Sequence, residues 1–123
     1  MRLLLDTQML VWMVNGDSRL RPEWIAALAD GEASLHVSPV VAFEYVDLQK
    51  RKRLPVDEPF AELIERFDLT MEPFPVECWR LVPDLPPIHR DPVDRMLVAH
   101  ALAGGFTLAT ADANIRKYPV AVI

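Results

Sequence analysis

Four acidic side chains lie where an uncompensated charge would be costly. Asp6 follows the apolar run RLLL, Asp94 lies in the first turn of a predicted helix, and Asp112 comes just after a short apolar segment. Glu44 lies within the apolar stretch VVAFEYV. Such carboxylates need a basic side chain or a metal ion to offset their charge, and few Lys or Arg residues are near them in sequence. Three or four carboxylates suit Mg²⁺ or Mn²⁺, a hard cation that polarises phosphoryl oxygens and lowers the pKa of bound water.

Each of these acids also has a simpler structural explanation. Asp94 could favour the helix dipole, and Asp112 could cap the short turn that follows it. Glu44 could be a solvated helix residue, although its apolar neighbours favour an inward direction. Asp91, which is close to Asp94, is most simply the N-cap of the same helix. Asp6 is the hardest to explain structurally, and the four acids together favour a site over coincidence.

The elements that must position these acids alternate between strands and helices. Ser38-Pro39 and Asp91-Pro92 each combine an N-cap with a proline in the first turn, and Gly104-Gly105 ends the last helix. The pattern predicts one domain, residues 1–123, with a three-layer α/β/α fold and a mostly parallel sheet, in which ligands bind at the carboxyl ends of the strands. The predicted strands are 2–5, 34–37, 70–74, 106–110 and 119–123. The predicted helices are 7–14, 22–30, 39–52, 59–68 and 92–103, and helical turns are predicted within 75–82 and 112–117. The proline-rich stretch 73–92 is predicted to be largely irregular.

Composition narrows the classes of protein. Hydrophobic residues make up 51% of the 123, which is enough for a core, and no apolar run approaches a membrane span. The N-terminal segment reads as strand then helix and not as a signal peptide, because Asp6 interrupts it, so we expect a cytoplasmic protein with no membrane partner. Cys78 is the only cysteine, which excludes an internal disulfide. His36, His89 and His100 have unrelated spacings that make a zinc site improbable, and His100 is not assigned as a ligand.

The net charge of −5 argues mildly against a nucleic-acid partner. If four of the 18 acidic residues belong to a metal site, however, 14 remain against 13 basic ones, so net charge does not decide the question. A compact basic run consists of Lys50, Arg51, Lys52 and Arg53. This run is interpreted first as the solvated end of a helix and second as an RNA contact.

The tryptophans Trp12, Trp24 and Trp79 are expected in the core or an interface.

Four segments, in order, carry a family resemblance: LLLDTQMLVW, SPVVAFEYV, HRDPVDRMLVAHA and TLATAD. They resemble the PIN-domain ribonucleases, and most closely the VapC-type toxins of bacterial toxin–antitoxin pairs. The resemblance covers nearly the whole chain. It implies a PIN-like fold and a Mg²⁺- or Mn²⁺-dependent endoribonuclease that hydrolyses RNA phosphodiester bonds. It also implies inhibition by a cognate antitoxin and, commonly, a homodimer.

The resemblance assigns roles to particular residues. The four acidic positions of the family, which are both catalytic and metal-binding, match Asp6, Glu44, Asp94 and Asp112. Asp91 matches a frequent extra acid of the subgroup. Small hydroxyl positions around the site match Thr7, Ser38 and Thr110.

The chain departs from the family at three positions. Gln8 replaces a common His, His100 replaces a common Gln, and Lys52 or Arg53 stands where a Gly is expected after the helix that carries the Glu. These departures bear on substrate choice more than on chemistry. Two alternatives remain: a weakly active or inactive PIN-like protein that binds metal or a partner, and a phosphatase of similar α/β fold. A haloacid-dehalogenase-type phosphatase would require Asp where Gln8 stands.

Overall fold

Four short parallel strands form the central sheet of the protein, in the order β3-β2-β1-β4. The computed structural model describes residues 1–123. The strands are β1 (Arg2–Leu5), β2 (Ser34–Val37), β3 (Leu69–Met71) and β4 (Thr107–Ala109). The α-helices are α1 (Thr7–Asn15), α2 (Pro22–Ala29), α3 (Pro39–Lys50), α4 (Phe60–Arg66) and α5 (Pro92–Gly104), and short 3₁₀ turns span Val76–Arg80, Val82–Asp84 and Ile115–Lys117. None of the helices has the length and apolar character needed to cross a membrane.

Both faces of the sheet are covered. Leu3, Leu4 and Leu5 follow one another along β1, and none has exposed surface. Because successive side chains of a strand point to opposite faces, this burial requires a layer of structure on each side. Each buried leucine stabilises the fold by roughly 2 kcal/mol. The predicted three-layer α/β architecture with a parallel sheet is confirmed, and all strand pairs are parallel.

Three helices begin at a side-chain cap, and two of these caps, Ser38 and Asp91, were predicted from local signals. Asp6 caps α1, and its Oδ1 accepts a hydrogen bond of 2.7 Å from the Met9 N–H. Ser38 and Asp91 cap α3 and α5 through side-chain oxygens, and a proline follows each cap. Gly105 ends α5 with a φ of 67°, which glycine adopts without strain. These caps set the positions at which three of the acidic side chains leave the backbone.

The predicted strand at 119–123 is wrong. This segment meets the sheet only through a single parallel bridge between Leu108 and Val122. Pro119 has no N–H to donate, and the neighbouring Tyr118 hydroxyl accepts a hydrogen bond from the His89 N–H. The chain end therefore runs beside β4 without extending the sheet.

Other elements are shorter than predicted. The third strand covers Leu69–Met71, and α4 covers Phe60–Arg66. Helix α3 ends at Lys50, because Lys52 takes a left-handed φ of 56° that turns the chain. The resemblance places a glycine at Lys52 or Arg53, and the backbone assigns it to Lys52, whose conformation favours glycine.

Two of the three tryptophans belong to the core. Trp12 and Trp24 are buried, and their ring centroids lie 6.1 Å apart. Trp79 is 65% exposed, with the Arg80 guanidinium over its ring. The expectation of a core position therefore holds for Trp12 and Trp24, and Trp79 lies on the surface.

Candidate functional site

The order of the strands creates a crevice between β1 and β4. From β1 the chain passes to β2 on one side, whereas β4 pairs with β1 on the other. In open parallel sheets, ligands bind at the carboxyl ends of the strands where the connections diverge in this way. Asp6 directly follows β1, and its N–H donates to the carbonyl of Ala109, the last residue of β4. Asp112 follows a short distance beyond β4, so both acids lie at the crevice.

A cavity of about 610 Å³ lies at this edge of the sheet. The four acids that the sequence singled out all line it, although they come from four separate segments. Asp94 reaches the cavity from the first turn of α5, and Glu44 reaches it from the middle of α3. The other polar or charged side chains that line the cavity are Thr7, Gln8, Arg19 and Arg53.

Asp6 is the most deeply buried of the four acids, with 6% of its surface exposed. Burial raises the pKa of this carboxyl to about 6, against the opposing effects of hydrogen bonds from Thr110 and the Met9 N–H. The charges of Asp112 and Glu44 raise it further. Its ionised form is therefore costly near neutral pH unless a positive charge is close by.

Asp94 lies at the third position of α5 and lines the cavity. Burial raises the pKa of this carboxyl to about 7, and the charge of Asp91 adds to the effect. His89 lowers it, whereas Glu44 and Asp112 raise it. Two of the four acids thus have a pKa close to neutrality, which is typical of functional sites.

The pKa of Asp112 is shifted in the opposite direction to the pKa values of Asp6 and Asp94. Burial acts to raise its pKa, but hydrogen bonds from His89 and from the N–H groups of Asn114 and Ile115 bring the pKa below its ordinary value. The two backbone bonds, of 2.7 and 3.2 Å, end on Oδ1. Asp112 therefore caps the turn that follows it and still directs Oδ2 towards His89.

Glu44 reaches the cavity from α3 and is held by Thr7. The Thr7 hydroxyl donates a hydrogen bond of 2.5 Å to Glu44 Oε1. Since Thr7 directly follows Asp6, this bond places the Glu44 carboxylate beside the first turn of α1. The inward direction suggested by the apolar neighbours of Glu44 is confirmed.

His89 is a site neighbour that the sequence reasoning missed. Its Nε2 lies 3.1 Å from Asp94 Oδ2 and 3.1 Å from Asp112 Oδ2. The sequence signal was its place in HRDPVDR, just before the cap of α5. The spacing of His89 from the other histidines gives no sign of this contact, because the contact depends on the path of a long loop.

The proline-rich loop that carries His89 is fixed by Arg95 and Tyr118. The Arg95 guanidinium donates to the carbonyls of Val82 and Pro86 at 2.7 and 2.9 Å, and to the Tyr118 hydroxyl at 3.3 Å. The same hydroxyl accepts a bond of 2.8 Å from the His89 N–H. The loop thus has a defined path despite its irregular backbone.

The auxiliary residues fall into different surroundings. Thr110 is buried between the acids, where its hydroxyl accepts a bond from the Asp112 N–H. Ser38 caps α3, and its hydroxyl lies 2.9 Å from His100 Nδ1, outside the lining of the cavity. His100 is buried in this contact, as a packed histidine would be. Asp91 caps α5, as its position predicted.

The four residues of the basic run lie in different surroundings. Arg53 lines the cavity with the acids, whereas Lys50 lines an apolar groove on the outer face of α3. Arg51 forms an exposed ion pair with Asp47 at 3.4 Å. Lys52 is exposed at the left-handed turn. Only Arg53 therefore borders the space in which the acids lie.

The four carboxylates fit a divalent cation. Oxygens of Asp94 and Asp112 lie within 4.8 Å of each other, with the His89 ring against both, and the carboxylates of Asp6 and Glu44 line the same cavity. Carboxylate oxygens are the ligands that hard cations such as Mg²⁺ and Mn²⁺ prefer. Burial and, to a smaller extent, mutual repulsion raise the pKa values of Asp6 and Asp94, and a bound cation would offset both effects.

Known proteins share this architecture. VapBC2 from Rickettsia felis, solved bound to a DNA fragment from its promoter, is similar with a TM-score of 0.69 and 18% identity, over 100% of this chain and 98% of that one. FitAB bound to an IR36 DNA fragment is similar with a TM-score of 0.57 and 18% identity, over 98% of this chain and 93% of that one. No curated protein is significantly similar in sequence. The family model described as the PIN domain matches residues 3–121, and the chain belongs to this family.

Proposed function

We propose that the protein is a metal-dependent endoribonuclease and the toxin of a toxin–antitoxin pair. The observation that carries the proposal is the convergence of four carboxylates, from four distant segments, on one cavity at the switch point of the sheet. Membership of the PIN-domain family supports a nuclease. The resemblance to VapC-type toxins supports RNA as the substrate.

We assign the four acids two roles, metal binding and orientation of the attacking water. Asp6, Asp94 and Asp112 hold one or two Mg²⁺ or Mn²⁺ ions, and Glu44 completes the site or orients the attacking water. A bound ion supplies charge neutralisation at the phosphoryl oxygens and a water of lowered pKa. No side-chain nucleophile is required. Thr7 has the only hydroxyl among the lining residues, and it is engaged as a donor to Glu44.

Arg53 is proposed as the RNA contact nearest to the reaction. Its side chain borders the cavity of the acids, so a phosphate next to the cleaved bond would lie within its reach. Arg19 borders the cavity too, but it is engaged in hydrogen bonds of 2.7 to 3.0 Å with Asp17. The more distant members of the basic run, which include Lys50, are secondary candidates.

Two protein partners are proposed. The likeness to VapBC2 and FitAB, with the VapC-type resemblance, supports a cognate antitoxin. A homodimer is supported by the outer face of α3, where Phe43 is 73% and Val46 is 50% exposed. Phe43 lies between two apolar grooves, one of which reaches Met96 of α5. We refer to Val40, Phe43, Val46 and Met96 as the Phe43 patch.

Cleavage of RNA tests the proposed activity. The purified protein should cut RNA in Mg²⁺ or Mn²⁺, stop when a chelator is added, and leave single-stranded DNA of the same sequence intact. Asp94→Asn keeps the size of the side chain and should abolish cleavage in a folded protein. Sequencing of RNA ends after induced expression would identify the target. A folded wild-type protein that binds Mn²⁺ and cuts no RNA would favour the alternative of an inactive binding protein.

A further inference from the structure

The His89 ring contacts two of the four carboxylates that line the cavity. Its Nε2 is equidistant, at 3.1 Å, from one oxygen of Asp94 and one oxygen of Asp112. The contact with Asp112 has the geometry of a hydrogen bond. The side chain is only 17% exposed, so the ring is packed where it stands.

The other ring nitrogen decides which chemical role Nε2 plays. The Asp91 N–H donates a hydrogen bond of 3.2 Å to His89 Nδ1. A backbone N–H can only donate, so Nδ1 is an acceptor and the proton of the neutral ring is on Nε2. Metal-binding histidines show the opposite arrangement, in which the second nitrogen donates to a carboxylate or carbonyl. His89 is therefore a donor to the carboxylates and is poorly set up as a metal ligand.

We propose that His89 is a built-in competitor of the divalent cation for Asp94 and Asp112. This inference rests on the proposed function, because it assigns a new role at the same site. The N–H of Nε2 and a cation would contact the same carboxylate oxygens, so they cannot both occupy the space between Asp94 and Asp112. Binding of a cation by this pair requires the ring to withdraw.

The path of the loop does not depend on the contacts of the His89 ring. The backbone of His89 is held separately, through its N–H bond to the Tyr118 hydroxyl, and Arg95 holds the loop before it. A rotation of the side chain would release both carboxylates and would also break the hydrogen bond from the Asp91 N–H to Nδ1. The competition therefore weakens metal binding by the interaction energy of the ring and leaves the loop in place.

Metal affinity of His89 variants tests the proposal. His89→Ala removes the competing donor, and titration calorimetry at fixed pH should show Mn²⁺ binding about tenfold tighter, which corresponds to one net hydrogen bond. His89→Gln is the matched control, because the amide can present an N–H near the position of Nε2. Its affinity should stay within about twofold of wild type. Equal or weaker Mn²⁺ binding by His89→Ala would overturn the proposal.

A measurement on the wild-type protein tests the proposal even if the His89→Ala variant does not fold. With ¹⁵N-labelled histidine, NMR reports which ring nitrogen carries the proton. On saturation with Mg²⁺, the hydrogen-bonded Nε2–H signal of His89 should shift while Nε2 keeps its proton. A deprotonated Nε2 bound to the metal would contradict the competitor role.

The outcomes separate this inference from the proposed function. If the wild-type protein binds Mn²⁺ and cuts RNA but His89→Ala binds no more tightly, only the competitor role fails. If the wild-type protein neither binds Mn²⁺ nor cuts RNA, the proposed function fails and the inference fails with it.

Discussion

The hydroxyl of Thr7 donates a hydrogen bond of 2.5 Å to Glu44 Oε1, and this bond joins the first turn of α1 to α3. The two residues are 37 positions apart in the chain. Because Thr7 follows Asp6, the bond also brings two negative charges together, and the charge of Glu44 contributes to the raised pKa of Asp6. Thr7, which is not an acidic residue, therefore positions the Glu44 carboxylate relative to Asp6.

Thr7→Val should reduce RNA cleavage while the protein stays folded. The substitution keeps the shape of the side chain but removes the donor, so Glu44 loses its fixed position. Loss of such a supporting hydrogen bond costs roughly 10- to 100-fold in activity or metal affinity. Initial cleavage rates at saturating Mn²⁺ measure the effect, and Thr7→Ser, which keeps the hydroxyl, should remain close to wild type. Full activity of Thr7→Val would show that Glu44 needs no such support.

Stability in the presence of a chelator should fall as the pH rises from 4 to 7. Burial raises the pKa of Asp6 from 3.8 to about 6 and that of Asp94 to about 7, so the folded chain binds protons that the unfolded chain releases. The stability that these groups contribute is complete below pH 3.8 and is lost as the pH passes their folded-state pKa. For Asp6 the loss is on the order of 3 kcal/mol. Asp112, with a lowered pKa, acts oppositely and only at more acidic pH.

Urea unfolding at several pH values, with EDTA or with Mn²⁺, measures this dependence. Mn²⁺ should stabilise the protein strongly at pH 8 and little at pH 5, where protons occupy the same carboxylates. Asp6→Asn, which keeps the α1 cap, should flatten the chelator curve between pH 4 and 6. A flat wild-type curve would show that the two carboxyls are not perturbed in this way.

The sequence predicted those parts of the structure whose causes are local. The caps Ser38 and Asp91 are recognisable because a side-chain oxygen, a proline and a following helix pattern lie within a few residues. The cap formed by Asp6 was not predicted, because the apolar residues before it indicated only an acid at the end of a buried strand. The convergence of the acids was also predictable, because the carboxyl ends of parallel strands share one edge.

The parts that the sequence could not predict depend on distant contacts. His89 reaches the acids only because Arg95 and Tyr118, which lie further along the chain, fix the loop before it. The apolar run at 119–123 has the composition of a strand, but the neighbours of Tyr118 decide its path. Arg53 borders the cavity because Lys52 turns the chain after α3, where the sequence alone left four basic residues equivalent.

Arg53→Ala should weaken RNA binding and reduce its dependence on salt. One phosphate contact changes the slope of log affinity against log salt by about 0.7 to 0.9. Affinities of catalytically inactive Asp94→Asn protein for a short RNA, at several salt concentrations, measure this slope. Arg51→Ala in the same background is the matched control, since Arg51 pairs with Asp47 away from the cavity. Equal slopes for the two variants would remove Arg53 from the RNA path.

Phe43→Glu should convert the proposed homodimer into a monomer. The ring is 73% exposed at the centre of the Phe43 patch, so a charge there would be buried unpaired in a dimer. Sedimentation velocity over a range of concentrations measures the association. Ile25→Glu is the control, because Ile25 on α2 is 51% exposed and lies outside the patch. A wild-type protein that is monomeric, or a Phe43→Glu variant that is dimeric, would exclude this surface as the dimer interface.

Arg95→Ala should destabilise the fold and loosen the loop that carries His89. The guanidinium donates to the carbonyls of Val82 and Pro86 and to the Tyr118 hydroxyl, and each of these acceptors would lose one of its donors. Loss of these partly buried bonds should cost about 2 to 4 kcal/mol of unfolding free energy, measured in urea. Arg95→Lys should recover only part of the loss, because an ammonium group cannot serve several acceptors in one plane. Arg90→Ala, a change at an exposed neighbour of the same charge, should have little effect. Equal losses for Arg95→Ala and Arg90→Ala would show that the loop is held by its prolines and not by Arg95.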